Sequence, residues 1–288
     1  MRHLIFASLL WAFSFGLIKG RLAGLDATTV ASGRLLLAFL AFAPLAVRGR
    51  RRPRRWAAFL VLGAVQFGLM YWLYIASFAY LPAWQVALFT VFTPVYVVLL
   101  ADGRARRVNL RHMAAAVLAV AGALLAVRFG QADGFAWKGV LLLQGANLSF
   151  AVGQLLYPGV RRKEMLGDAA LMAWMYAGAF LVTALPVLWR GGPVAAGWTP
   201  SALGTLVYLG LVPTAVGFYL WNRGAVQVDA GRLAVANNLK IPLAVVVSWV
   251  VFREQAPWLR ASLGLILVVA GLALVRRPDE KGSSRRTG

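Results

Sequence analysis

The chain contains no cysteine, only two histidines and only nine acidic residues. Without cysteine there is no disulfide framework, no thiolate nucleophile and no cysteine metal site. His3 and His112 both stand beside charged helix ends, which leaves no set of ligands for zinc and no histidine-based catalytic centre. Asp26, Asp102, Asp133, Glu164, Asp168, Asp229, Glu254, Asp279 and Glu280 all fall between apolar runs or at their ends, so no carboxylate lies at membrane depth. An enzyme acting inside a bilayer needs a nucleophile, a base or a metal cluster there. The expectation is therefore a protein that is not an enzyme and has neither cofactor nor metal.

Charge as a whole is scarce. Charged residues make up 14% of the chain and hydrophobic residues 61%, against roughly 25% and 45 to 50% in soluble domains. Apolar runs fall at 4–20, 27–47, 56–78, 83–101, 110–128, 137–158, 168–189, 200–222, 230–252 and 257–275. A spanning helix takes about 20 residues, so these runs predict an all-α integral membrane protein of ten transmembrane helices with no room for a soluble domain. Only Leu81-Pro82 separates the third run from the fourth, and proline there sets a tight turn and a fresh helix start. The segment Met1 to Gly20 begins like a signal peptide, but it carries Trp11 and Phe13 and has no small-x-small cleavage site, so it reads as the first retained span.

The net charge of +21 would suggest a nucleic-acid partner in a soluble protein, but basic loops orient membrane proteins and have to be read by position. Alternate connections hold 21 Lys and Arg residues in the set that contains the N-terminus and 7 in the opposite set, with two more inside spans. Both termini are expected in the cytoplasm. The partner of the basic loops is the lipid bilayer, not nucleic acid, and the charged, Gly- and Ser-rich tail at 277–288 is expected to be disordered.

The two halves repeat each other in order. Ser14-Phe15 recurs as Ser149-Phe150, Asp26 and Pro44 as Asp168 and Pro186, Gly68 and Trp72 as Gly217 and Trp221, and Pro94 as Pro242. Leu110-Arg111 recurs as Leu259-Arg260, and Ala121-Gly122 as Ala270-Gly271. The expected units are residues 1–136 and 137–276. Five spans is an odd number, so the second unit is inverted in the bilayer, an arrangement typical of alternating-access transporters with a site near the midplane. A structural scaffold would need neither the midplane polar residues nor the helix breaks described next.

The two basic residues inside spans are Arg34 and Lys240. Each costs about 2.5 to 3.5 kcal/mol at a helix centre, and with no acid at that depth a bound anion is the natural offset. Asn237, Asn238, Lys240 and Pro242 together offer amide donors and acceptors, a cation and a helix break. Their role is either a substrate site or a kink whose polar groups bond neighbouring helices. Arg34 is either a carboxylate clamp, for which its fork is suited, or a structural arginine bonded to carbonyls. Gln144, Asn147, Ala151, Gln154 and Tyr157 form one polar stripe that faces a cavity or a packed neighbour. Gln85, Phe89 and Thr93 stack at i, i+4 ahead of Pro94, which occupies the repeat position of Pro242. The two prolines are the expected hinges. Trp11, Tyr71, Trp72 and Phe89 are either pocket walls or, for those near helix ends, belt residues at the membrane interface.

The residues that carry a family likeness are LLWAFSF at Leu9 to Phe15, Arg34 in its helix, GLMYWL at Gly68 to Leu73, LFTVFTP at Leu88 to Pro94, NLSFAVG at Asn147 to Gly153 and LWNRGAVQVDAGRLAVANNLKIP at Leu220 to Pro242. Over nearly all of residues 1 to 276 the chain resembles the drug/metabolite transporter superfamily, specifically its EamA-like domains and the bacterial carboxylate/amino-acid/amine branch. The resemblance implies a secondary transporter of the bacterial inner membrane that takes up a small carboxylate, with biotin the foremost substrate, and export of amino acids as the alternative. The residues expected to meet substrate are Arg34, Tyr71, Trp72, Phe89, Thr93, Asn147, Gln154, Asn237, Asn238 and Lys240.

Overall fold

A run of twenty apolar residues in a medium without water must close its own backbone hydrogen bonds, and the α-helix does so within one segment. The computed structural model describes residues 2–48, 52–106, 136–228 and 246–253 continuously, with isolated residues or pairs between 109 and 121, 233 and 244, and 259 and 270. Among the described residues there is no strand, and seven helices are long and apolar enough to cross a membrane. They are α1 (Arg2–Arg21), α2 (Ala27–Val47), α3 (Trp56–Ser77), α4 (Ala83–Arg104), α5 (Trp137–Arg161), α6 (Asp168–Trp189) and α7 (Pro200–Ala225). These coincide with the first four expected spans and with the sixth, seventh and eighth. The spans expected at 110–128, 230–252 and 257–275, and the tail at 277–288, lie largely or wholly outside the described residues.

Small residues set how the helices meet. A Cβ on Gly63 would stand 1.9 Å from the Met175 carbonyl oxygen, and one on Gly178 would stand 2.0 Å from that of Leu60. At this crossing α3 and α6 therefore touch backbone to backbone, which lipid-exposed helices favour because close packing replaces the hydrophobic drive. Gly217 and Gly224 of α7 similarly admit Trp11 and Leu4 of α1, which fixes those two helices as antiparallel neighbours. Gly153 of α5 receives Gln66, and Gly139 receives Tyr80 and Leu81, so α5 runs antiparallel to α3.

Polar contacts tie connections together at the two ends of the bundle. At one end Arg190, just beyond α6, pairs with Asp26 at the start of α2 and also donates to the Thr29 hydroxyl. At the other end the Glu164 carboxylate accepts the backbone N–H groups of Arg54 and Arg55 at 3.0 and 2.8 Å, and Arg161 pairs with Asp168. Burial raises the pKa of Asp26, but hydrogen bonds from Arg190 and Thr29 outweigh it, and the carboxyl is held below its ordinary value.

Two helices depart from α-geometry. A π segment occupies Ala64–Leu69 within α3 and another occupies Gly210–Val216 within α7. The sequence pairs Gly68 with Gly217, so the two departures fall at nearly matching places in the two halves. Helix α4 is interrupted at Thr90 and Val91, just ahead of Pro94, where the Thr93 amide turns back to the Thr90 carbonyl at 3.1 Å.

Two expectations follow. Gly63→Ala or Gly178→Ala forces the α3–α6 backbones apart at a cost of about 1 to 3 kcal/mol, read as a lower melting temperature in detergent; an unchanged value would contradict the contact. A carboxylate with a lowered folded pKa stabilises above its unfolded value, near 4, and loses that contribution as the pH falls through the folded one. The melting-temperature gap between the parent protein and Asp26→Asn is therefore expected at neutral pH and should close on acidification below about pH 4.

Candidate functional site

Arg34 is 1% exposed in α2, two turns into a helix that is otherwise apolar on this face. Its Nη2 donates to the Tyr71 hydroxyl at 2.9 Å and to Thr214 Oγ1 at 3.0 Å, and Nε reaches the same Thr214 oxygen at 3.3 Å. The guanidinium carbon also stands 4.3 Å from the Tyr71 ring centroid. Nη1 has no hydrogen-bond partner among the described residues, and no carboxylate among them pairs with Arg34. A buried cation is thus held by neutral oxygens, with one nitrogen left over.

The partners are delivered by the two π segments. Tyr71 follows the first by two residues, and Thr214 lies inside the second. One residue inserted into a turn rotates whatever follows by about 100° around the helix. In α7 the cause is visible. Pro213 has no N–H to give the Leu209 carbonyl, so the ladder there shifts to the Thr214 amide, as π geometry requires, and the Thr214 hydroxyl donates to the same oxygen at 2.6 Å. The carbonyls around it find donors on other helices. Trp11 Nε1 donates to Pro213 at 2.8 Å, and the Tyr176 hydroxyl lies 2.9 Å from the Thr214 oxygen and 2.8 Å from that of Ala215.

Arg34 lines a small, half-open cavity. Its walls are Trp11, Ser14 and Phe15 from α1, Met70, Tyr71 and Tyr74 from α3, Thr90 and Thr93 beside the α4 break, Ala146, Asn147 and Phe150 from α5, and Phe218 from α7. Aromatic rings close one side. Trp11 packs on Phe218 at 4.8 Å and on Trp221 at 5.1 Å, and Phe150 meets Phe218 at 5.6 Å. Since Gly217 and Gly224 bracket Trp221 against Trp11 and Leu4, this stack faces the end of the bundle where α1 begins and α7 stops.

Asn147 closes the α4 break. Its Nδ2 donates to the Phe89 carbonyl at 2.9 Å, the oxygen that the interrupted helix leaves without an amide, and its Oδ1 accepts from the Thr93 hydroxyl at 3.2 Å. Gln144 stands beside it and accepts from Asn147 and from the Tyr96 hydroxyl. The polar stripe on α5 thus faces both a neighbour and the cavity.

Of the residues expected to meet substrate, Arg34, Tyr71, Thr93 and Asn147 line this one cavity. Phe89 is buried beside it and contributes its carbonyl to Asn147 rather than a ring to the wall. Gln154 is buried on α5, seven residues beyond Asn147. Trp72, at 37% exposure, is not among the lining residues, whereas its repeat partner Trp221 is fully buried. Asn237 is buried, and Asn238, Lys240 and Pro242 lie outside the described residues. Pro94 stands in the first turn after the α4 break. Tyr74 and Phe150 are further wall residues, Phe150 being marked in the sequence only by the repeat, whereas Phe218 and the anchor Thr214 are not singled out there; a proline followed by a hydroxyl residue inside the eighth run is the one signal the sequence holds for Thr214. Among the described residues no three of His, Cys, Asp and Glu come together as metal ligands.

Known proteins are similar to this chain in sequence or in fold. The EamA-like transporter family model matches residues 3–128 and again 137–277. A probable biotin transporter of Pseudomonas aeruginosa is 40% identical over 275 residues, covering 94% of this chain and 96% of that protein. The biotin transporter of Escherichia coli K12 is 35% identical over 279 residues, covering 96% and 93%. A probable terminal-alkyne amino-acid exporter of Streptantibioticus cattleyicolor is 30% identical over 281 residues, covering 95% and 92%. A protein crystal structure superposes with a TM-score of 0.70 at 20% identity, covering 95% of each chain, and so shares the fold.

The role of Asn147 is open to measurement. Asn147→Leu leaves the Phe89 carbonyl buried without a donor, which costs about 1 to 3 kcal/mol. A lowered unfolding midpoint in detergent is expected, and an unchanged midpoint would show that the break is closed by other means.

Proposed function

This chain belongs to the EamA-like transporter family, and from that membership we propose that it takes up biotin across the bacterial inner membrane by alternating access. The observation that carries the reading is the Arg34 fork, buried in an aromatic-walled cavity, with neither a partner for Nη1 nor a lining carboxylate among the described residues. Biotin has one carboxylate for Arg34, a ureido ring for amides such as Asn147, Asn237 and Asn238, and an apolar chain for the aromatic walls. The likeness to proteins named biotin transporters supports the same cargo.

The amino-acid exporter relative favours the alternative, export of an amino acid. A zwitterion, however, brings an ammonium group, and among the described lining residues the cavity has no acid to receive it. A simple carboxylate is the better match to a lone cation.

The proposed architecture is ten helices in two inverted halves, with both termini cytoplasmic. The two separate family matches support the halves, as do the π segments at nearly equivalent positions. The start of α5 packs against Tyr80 and Leu81, beside the start of α4, so the chain changes side between Arg104 and Trp137 as a fifth crossing would require. The contacts of Asp26 with Arg190, and of Glu164 with Arg54 and Arg55, join connections that the basic-residue count assigns to one side each. In this arrangement the halves rock about the cavity, with the α4 break ahead of Pro94 and the matching Pro242 as flexible points. Importing a monoanion into a negative-inside cell costs about 2.3 kcal/mol per 100 mV, so net uptake is coupled to a cation or drawn by consumption inside.

Expression in a biotin-requiring strain without its own uptake system is expected to restore accumulation of labelled biotin. Arg34→Gln removes a charge-assisted contact of about 1.5 to 3 kcal/mol, which is a rise of roughly 10- to 150-fold in KM. Accumulation no better than the empty vector would sink the reading, and faster loss of label from preloaded cells would replace it with export.

A further inference from the structure

The Thr214 hydroxyl has one proton, and its shortest contact shows where it goes. The Leu209 carbonyl, which Pro213 cannot reach with an N–H, takes the Thr214 hydroxyl proton at 2.6 Å beside the Thr214 amide of the π turn. Thr214 Oγ1 can then only accept from its other neighbours, which are Arg34 Nε and Nη2 at 3.3 and 3.0 Å and the Tyr71 hydroxyl at 3.1 Å. Tyr71 in turn accepts from Arg34 Nη2 at 2.9 Å and donates to Thr214, so the two lone pairs of Thr214 Oγ1 are shared among three donors, the Nε contact being the longest. All the groups are buried. Nε and Nη2, which form the side edge of the guanidinium fork, are both taken by Thr214, and Nη2 is shared with Tyr71. Both N–H bonds of Nη1 remain without a partner among the described residues.

We propose that Thr214 is a positioning residue that fixes which nitrogen of Arg34 meets the substrate. Fixed as an acceptor by its bond to the Leu209 carbonyl, it occupies the Nε–Nη2 edge, helps hold the guanidinium plane against Tyr71 and leaves Nη1 for the carboxylate. The contact to cargo is therefore a single-nitrogen one, in place of the two-nitrogen fork that arginine and carboxylate otherwise adopt. This rests on the reading that Arg34 binds the carboxylate, and the test separates the two.

The measurement is the ratio of the dissociation constants of biotin methyl ester and biotin on purified, monodisperse protein. The ester keeps the ring and chain and loses the anion, so the ratio reports the carboxylate contact and is insensitive to a general loosening of the cavity. Arg34→Gln is expected to bring the ratio close to one. Thr214→Val, nearly isosteric but without the hydroxyl, is expected to lower it about fivefold, the worth of one ordinary hydrogen bond, and Thr214→Ser to restore it. Thr214→Val also removes one of the two donors to the Leu209 carbonyl, the other being the amide of residue 214 in the π turn. The pair variant Pro213→Ala with Thr214→Val supplies an N–H for that oxygen, so it keeps the helix bonded while still removing the contact to Arg34. It should show the same fivefold loss. Added to Arg34→Gln, Thr214→Val should change the ratio no further, because its effect passes through Arg34. A parental ratio in both the Thr214→Val and the pair variant, with Arg34→Gln still levelling it, would overturn the role of Thr214 and leave that of Arg34 standing. A parental ratio in Arg34→Gln would overturn both.

Discussion

The bundle is organised around a cation that no acid among the described residues pairs. Arg34 is buried where α2, α3 and α7 meet, and its partners are two hydroxyls, Tyr71 and Thr214. A neutral acceptor orients a guanidinium without cancelling its charge. A carboxylate in the same place would stabilise the arginine more but would leave a closed ion pair with nothing to offer an incoming anion. The scarcity of acidic residues, which marks the sequence as unsuited to acid–base chemistry, is thus also the condition under which a buried arginine can serve a substrate.

Most of the other buried polar side chains in this region serve the backbone. Each break in the helical ladder exposes a carbonyl that hydrocarbon cannot solvate, at several kcal/mol apiece. The Thr214 hydroxyl adds a donor to Leu209, Trp11 donates to Pro213, the Tyr176 hydroxyl is shared between Thr214 and Ala215, and Asn147 donates to Phe89. The donors mostly come from helices other than the one they repair, so the irregular segments of α4 and α7 are held open by α1, α5 and α6. The cavity exists because these breaks are sealed sideways. Thr214 and Asn147 then act twice, once on a carbonyl and once on the cavity wall.

Patterns at the scale of a span are legible in the amino-acid sequence. Apolar run lengths place the seven described helices to within a few residues, because hydrocarbon thickness leaves little freedom in helix length. Arg34, Asn147 and the Pro94 break are legible as residue types that membranes tolerate only for a reason. Facing is not. Tyr71 and Trp72 are adjacent and both aromatic, and which of them enters the cavity depends on the π segment that precedes them, a feature with no mark in hydrophobic periodicity. Thr214 escapes notice because a threonine beside a proline in an apolar run reads as ordinary helix until its proton is traced. The repeat misleads in the same way. Trp72 and Trp221 are sequence equivalents, yet Trp221 lies in the stack with Trp11 and Phe150 while Trp72 turns outward, so the halves share a backbone plan without sharing the role of each side chain.

A fixed cation also determines where the membrane potential acts. With a monoanionic cargo on Arg34, the loaded site carries no net charge, and its change of access does little electrical work. The empty site carries the full positive charge, and its return in the opposite direction is the step that works against a negative-inside potential, at about 2.3 kcal/mol per 100 mV for a complete charge. A tighter grip on the cargo would not help, because it deepens the loaded state without easing that return and slows release on the inner side. In the proposed contact a single nitrogen meets the carboxylate while Thr214 and Tyr71 hold the other edge of the fork, which would give a carrier enough charge complementarity to choose an anion and few enough contacts to let it go.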